Sequence, residues 1–272
     1  MFGKLMKYEL RYLIRIFAPM WAIVLSLCVL SRLVLRPDLE GMMYVEGSEA
    51  LLPVLAVMLA VTAIITMMVV TTVVLLQRFY KGMYGDEGYL MFTLPVTSGS
   101  LIHSKALSAM LMMIGTELLT FAGVMIMVSY PQIWNEIGFT FKEMFQMLLE
   151  MNNITATEFV LLAVWTVIAG ILTVAQGIYT VYLAISIGQL WKKHPVAGGI
   201  IAYYVITLVI NFAIGGLGAT KQGYWLEQFT ANMEYASAMA YTLIAATLGC
   251  LLMIVISSLI TKLILDKKLN LT

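Results

Sequence analysis

The sequence predicts an all-helical protein that crosses a membrane six times, with both termini on the cytoplasmic side. Composition comes first: of 272 residues 61% are hydrophobic and only 11% charged, with a mean hydropathy of +0.93. An ordinary soluble domain carries about 45–50% apolar and 25% charged residues, so a water-soluble globule is excluded. Second, six stretches nearly free of charge are each long enough to cross about 30 Å of hydrocarbon, which takes roughly 20 residues. Third, the basic residues divide unevenly between the connections.

The chain opens on Lys4, Lys7, Arg11 and Arg15, which share one helical face, while Phe2, Met6, Leu10, Leu13 and Phe17 share another. This periodicity predicts an interfacial amphipathic helix over 1–15, resting on the cytoplasmic leaflet. It is not a signal peptide, because no small-x-small cleavage site follows the apolar run. Leu27 is too bulky to precede a lipidated Cys28. The first span is expected over 16–35, with Arg15 and Arg32 near enough to its ends to snorkel. The second, 50–77, carries Pro53 in its opening turn, where the missing N–H has no partner to lose.

The third span covers 106–130 and stops at Pro131. The fourth, 159–191, is too long for the hydrocarbon alone and must tilt or continue out of it. The fifth, 196–218, starts after Pro195, and the sixth covers 236–260. Gly88 to Ser104 is also free of charged residues, but its Gly88, Pro95, Gly99 and serines mark a structured loop. Irregular backbone exposed to lipid would lack hydrogen-bond partners. In the outer connection, 131–158, residues 141–151 read as a short amphipathic helix.

With six spans the connections alternate sides. Lys4, Lys7, Arg11, Arg15, Arg78, Lys81, Lys105, Lys192, Lys193, Lys262, Lys267 and Lys268 fall on one side; Arg32, Arg36, Lys142 and Lys221 fall on the other. Twelve against four places the first side, and both termini, in the cytoplasm. The acidic residues lean outward, and Glu117 is the one that lies within a span. Sixteen basic residues against fifteen acidic ones give a net charge of +1, which points to no nucleic-acid partner.

Several chemistries have no residues to carry them. There is no Gly-x-x-x-x-Gly-Lys-Ser/Thr phosphate loop, so ATP use would belong to a partner. His103 and His194 stand apart from any cluster on ligand spacing, which argues against a metal site. Hydrolase signatures such as Gly-x-Ser-x-Gly are missing. Cys28 and Cys250 lie within spans and read as small apolar side chains. The chain is therefore expected not to be an enzyme and to hold no cofactor.

The informative connection is 78–105. Gly85 permits a sharp turn, Asp86 can cap the following helix and Glu87 suits its first turn. Gly88 is followed by Tyr89, Leu90, Met91, Phe92 and Leu94, a short and strongly apolar helix that Pro95 ends; Thr97 or Ser98 can cap the helix that re-enters the membrane through Lys105. Such a helix on the cytoplasmic side is suited to docking into a groove on another protein.

These features resemble the permease subunits of ABC exporters of the ABC-two superfamily, which have six spans, an amphipathic helix ahead of the first and a coupling helix between the second and third. The loop pattern of that family is matched by Glu87, Leu90, Pro95, Val96, Thr97 and Lys105; where the family usually carries a basic residue next, this chain has Ser98 and Gly99. The resemblance in topology covers almost the whole chain, and the resemblance in motif covers this loop. It implies a single transmembrane permease domain over 1–272 in a bacterial cytoplasmic membrane. It also implies a dimer, with itself or a second permease, working on two P-loop ATPase subunits that hold the ATP and Mg. Gly85, Asp86, Glu87, Gly88, Tyr89, Leu90, Phe92 and Pro95 would be the mechanical link. Small permeases of this superfamily resemble exporters of antimicrobial peptides, toxins or drugs, and the acidic outer face is compatible with a cationic peptide.

Two readings of Glu117 stand side by side: a group lining a polar substrate path, or a protonated acid bonded to a neighbouring helix. Small residues of the fifth span, among them Gly198, Ala202, Gly215 and Gly216, suit a close helix crossing at a dimer interface. The 21 methionines suit either an adaptable cargo surface or plain packing. The alternative to an exporter is a stand-alone ion- or proton-coupled carrier or channel that uses Glu117. An intramembrane enzyme would need a catalytic set that the residues do not supply.

Overall fold

A computed structural model describes residues 2–34, 51–85, 87–88, 95–129, 131–151, 155–191, 193–219 and 235–268. Among the described residues the chain is all helix, in seven long elements: α1 (Phe2–Val34), α2 (Leu51–Tyr84), α3 (Ser98–Met127), α4 (Pro131–Met151), α5 (Ala156–Gly188), α6 (Pro195–Ala219) and α7 (Tyr235–Lys268). All but α4 are long and apolar enough to cross a membrane, which makes the chain a multi-pass membrane protein.

The helices overrun the expected spans. An apolar run ends at the first charge, but backbone hydrogen bonding carries the helix on through polar residues. Thus α2 continues through Arg78 and Lys81 to Tyr84, and α7 continues to Lys268. Helix α3 takes in Ser98–Ser104, so the loop expected as far as Ser104 ends at Thr97. The segment 1–15 is no separate helix: α1 runs unbroken through Pro19. That proline forfeits a single bond, to the Arg15 carbonyl. Helix α4 is longer than the amphipathic helix expected over 141–151, because Pro131 starts it rather than merely stopping the third span.

The chain divides into two compact units. In the first, Met1–Arg78 and Ser108–Lys142, the buried stripe of α1 is Glu9, Leu13, Phe17, Val24, Cys28 and Ser31, at the spacing of one helical face. Val24 and Cys28 pack with Ala60, Ile64 and Met67 of α2 and Met127 of α3. Polar contacts mark the levels along this unit. At one end Glu9 meets Arg78 at 2.9 Å, and at the other Arg32 Nε donates to the Ser129 carbonyl at 3.0 Å. Between them Trp21 Nε1 donates to Thr116 Oγ1 at 3.2 Å, so α1 and α3 run parallel. Ser31 Oγ donates to the Ala56 carbonyl at 2.8 Å, so α2 runs opposite to α1.

The second unit is Phe79–Leu107 with Glu143–Thr272. Helix α5 begins on a capping box: Thr155 Oγ1 accepts from the Glu158 N–H, and the Glu158 carboxylate accepts from the Thr155 N–H at 2.8 Å. It ends at Gly188, where the chain reverses within a few residues into α6. A Cβ on Gly188 would lie 2.6 Å from both Gly199 Cα and the Pro195 carbonyl, so only glycine permits this crossing. Helices α5 and α7 run side by side, joined midway by Cys250 Sγ donating to Gln176 Oε1 at 3.3 Å.

Candidate functional site

The second unit gathers four helix ends around the base of the 85–97 connection: the last turn of α2, the start of α3 and the C-terminal ends of α5 and α7. Helix α2 is held to α5 by Phe79, whose ring stacks on Tyr182 with centroids 3.6 Å apart and planes within 8°. One turn on, the Tyr84 hydroxyl donates to Ser186 Oγ at 2.6 Å, and Ser186 in turn donates to the Tyr182 carbonyl at 2.7 Å. On the return strand of the loop, Thr97 Oγ1 accepts from the Ser100 N–H at 3.4 Å and caps α3. Ser98 Oγ donates to the Asp266 carboxylate near the end of α7. His103 Nδ1 and the Tyr179 hydroxyl lie 2.6 Å apart, adding α5 to the contacts of α3.

Lys105 lies inside this arrangement with 4% of its surface exposed. Its stem runs back along α2, where a Cβ on Gly82 would come within 3.1 Å of Cε and collide with the ammonium. A buried lysine is costly to desolvate and must be met by polar groups. Thr180, Ser257 and Thr261, all buried, carry hydroxyls with no hydrogen-bond partner among the described residues.

The loop itself begins with a tight reversal. The Gly85 N–H donates five residues back to the Tyr80 carbonyl at 3.2 Å, and the Gly88 N–H donates to the Gly85 carbonyl at 2.8 Å. A Cβ on Gly85 would lie 2.9 Å from the Lys81 carbonyl oxygen, and one on Gly88 would lie 2.7 Å from that of Met83. Glu87 is helical and exposed, Gly88 helical and buried, and Pro95 exposed in a bend. Asp86, Tyr89, Leu90 and Phe92, and with them the apolar helix of the loop, lie outside the described residues.

The other expected site residues belong to the first unit. Lys4, Lys7, Arg11 and Arg15 are all exposed along α1. Glu117 lies on α3 beside Thr116 and is exposed.

Two arrangements were not anticipated from sequence. Glu9 is buried, with its carboxylate forked onto Arg78: Oε2 accepts from Nε at 2.9 Å and Oε1 from Nη2 at 3.3 Å, while the guanidinium lies 4.1 Å above the Tyr12 ring. The signal for it was Glu9 itself, the sole acid among the basic residues that open the chain and spaced to share a face with Leu13 and Phe17. The second is the set of buried hydroxyls on α5 and α7, Thr180, Ser257 and Thr261, which sit in runs too apolar to draw notice. Comparison of the chain with protein-family models, with curated proteins and with solved structures finds no match.

Proposed function

We propose that the chain is the membrane-spanning permease subunit of an ATP-driven exporter of the ABC-two type, in a bacterial cytoplasmic membrane with both termini inside. It works as a dimer, with itself or a second permease, on separate P-loop ATPase subunits, and moves an antimicrobial peptide, toxin or drug outward. The chain holds no cofactor of its own; ATP and Mg belong to the partner.

The observation that supports this reading best is the anchoring of the 85–97 connection. One end is fastened to α5, by Phe79–Tyr182 and Tyr84–Ser186, and the other to α7 and α5, by Ser98–Asp266 and His103–Tyr179. A partner that displaces the loop thus works on four helices at once, the requirement for turning ATPase closure into movement of the spans. The exposed Glu87 and the apolar residues Tyr89, Leu90 and Phe92 form the docking element, and the basic face of Lys4, Lys7, Arg11 and Arg15 rests against anionic headgroups.

The test is to seek a P-loop ATPase among the genes neighbouring this one and to co-purify it in mild detergent, comparing the native chain with Tyr89→Ala/Phe92→Ala. The native chain retains the ATPase; the double variant loses it or hydrolyses ATP without transport. If the double variant keeps both association and transport, the coupling role is wrong.

A further inference from the structure

The buried face of α7 is polar although the helix is strongly apolar. Among its described residues the buried ones are Thr247, Ser257, Thr261 and Leu265, while Leu252, Val255, Leu259 and Leu263 are exposed. A serine or threonine in a helix can give its hydroxyl to the carbonyl three or four residues back, as Thr247 does to Ile244 and, on α5, Thr173 does to Ala169. Ser257 and Thr261 of α7 and Thr180 of α5 do not. At 0%, 1% and 5% exposure, their hydroxyls have no hydrogen-bond partner among the described residues.

All three lie on one seam. Cys250 of α7 meets Gln176 and Thr173 of α5 at 3.3 and 3.9 Å. Around α5, Thr180 stands about 40° from Gln176 and about 20° from Thr173; around α7, Ser257 and Thr261 each return to within about 20° of Cys250. Ser98 and His103, close together on α3, reach Asp266 of α7 and Tyr179 of α5, which fits only if α5 and α7 run parallel. At about 1.5 Å per residue Thr180 and Ser257 then lie within about 4 Å of one depth, with Thr261 about 6 Å further toward the helix ends. The charged neighbours Lys262 and Asp266 turn off this face and meet the start of α3.

We infer that the seam between α5 and α7 binds water, one molecule shared by the Thr180 and Ser257 hydroxyls and another joining Ser257 to Thr261. A gap of about 6 Å is two hydrogen bonds of about 2.8 Å, the span of a single water. Buried water typically makes about three bonds to polar groups that would otherwise be bare, and a bare buried hydroxyl is costly. An ion would need an opposite charge on the seam to offset its desolvation. The polar groups of this face are hydroxyls, the Gln176 amide and the Cys250 thiol, all neutral. Helices joined through water can shift along one another by trading water partners, without stranding a hydroxyl. This holds whether or not an ATPase is the partner.

The experiment uses the full chain in lipid nanodiscs. Met253 lies between Cys250 and Ser257 on α7 and is half-buried, while Met68 is exposed on α2. Radicals generated from water by an X-ray pulse should oxidise Met253 at least about fivefold faster than Met68, because bound water lies beside the first and lipid beside the second. Combining Thr180→Val with Ser257→Ala should remove most of that difference. Thr180→Val, Ser257→Ala and Thr261→Val should each lower the thermal midpoint by about 2–4 °C. The Thr180→Val/Ser257→Ala pair should lose less than the sum, since both hydroxyls hold one water. Bare hydroxyls in a dry seam predict the opposite, a midpoint unchanged or raised. Three results would each overturn the inference: Met253 oxidised no faster than Met68, midpoints that do not fall, or a native midpoint that rises with sodium or potassium at fixed ionic strength. The first and third are read on the native chain and need no variant to fold.

Discussion

Arg78 closes onto Glu9 as a fork, two hydrogen bonds at 2.9 and 3.3 Å, with its guanidinium lying over the Tyr12 ring. The pair ties the N-terminal turns of α1 to α2 at one end of the first unit. Side chains exposed by only 14% and 7% make this an ion pair largely removed from water. Breaking such a pair from one side leaves a buried charge behind and costs about 3–5 kcal/mol, whereas removing both partners is far cheaper.

Arg78→Met and Glu9→Gln are therefore each expected to lower the thermal midpoint of the detergent-solubilised protein by roughly 10 °C. The double variant should recover a large part of that loss. If the two single losses simply add, the pair is not the cause.

The six-span architecture was legible because lipid demands long apolar runs, and Ile16–Leu35, Ala50–Gln77 and the rest are such runs. Helix ends were less legible. Charge marks where hydrocarbon stops, and α2 runs through Arg78 and Lys81 to reach Tyr84. The capping box Thr155-Ala-Thr-Glu158 was written in the sequence and fixes the start of α5 three residues ahead of Phe159. The loop residues Gly85, Glu87 and Pro95 stood out by composition. What holds that loop did not, because Phe79, Tyr84, Tyr182 and Ser186 acquire meaning only when α2 and α5 lie side by side. Nothing in the spacing of Lys105 distinguished a snorkelling lysine from one enclosed by helices.

Tyr84 and Ser186 should behave as one unit. Tyr84→Phe and Ser186→Ala each remove the same 2.6 Å hydrogen bond, and each is expected to cost about 1 kcal/mol. Ser186→Ala also removes the bond from Ser186 Oγ to the Tyr182 carbonyl, so it is expected to be the costlier single change, and the double variant should be little worse than Ser186→Ala alone, read as thermal midpoints in detergent. Under the proposed function these variants also lower transport per ATP hydrolysed, because the loop is then loosened from α5. Full additivity of the two stability losses would show that the residues act separately.

Two glycines of α5 should respond oppositely to alanine. Gly188 meets the α6 backbone, with a prospective Cβ 2.6 Å from Gly199 Cα, and backbone cannot step aside as a side-chain tip can. Gly188→Ala is expected to cost at least about 2–3 kcal/mol and to reduce the yield of folded protein. Gly177 has nothing within 4 Å of the same position. Gly177→Ala should be neutral or stabilising by up to about 1 kcal/mol, from helix propensity. Equal tolerance at both sites, measured by monodisperse yield and thermal midpoint, would contradict the close crossing of α5 and α6.

Gly123 and Cys28 offer a test of packing in the first unit. Cys28 is fully buried on α1, and a Cβ added at Gly123 of α3 would stand 3.0 Å from its Sγ, closer than carbon and sulfur tolerate. Gly123→Ala alone should therefore destabilise by about 1–2 kcal/mol despite its gain in helix propensity. Cys28→Ala alone leaves a small void where Sγ stood and should also destabilise. Combined, the new methyl occupies the space the sulfur vacated, so the double variant should be more stable than the sum of the two losses requires, by about 1 kcal/mol of coupling. The same contact shields the thiol: Cys28 should resist a maleimide in the native fold and react once the detergent-solubilised protein is heated through its transition. Additive stabilities, or rapid labelling of Cys28 before unfolding, would place α1 and α3 farther apart than this contact requires.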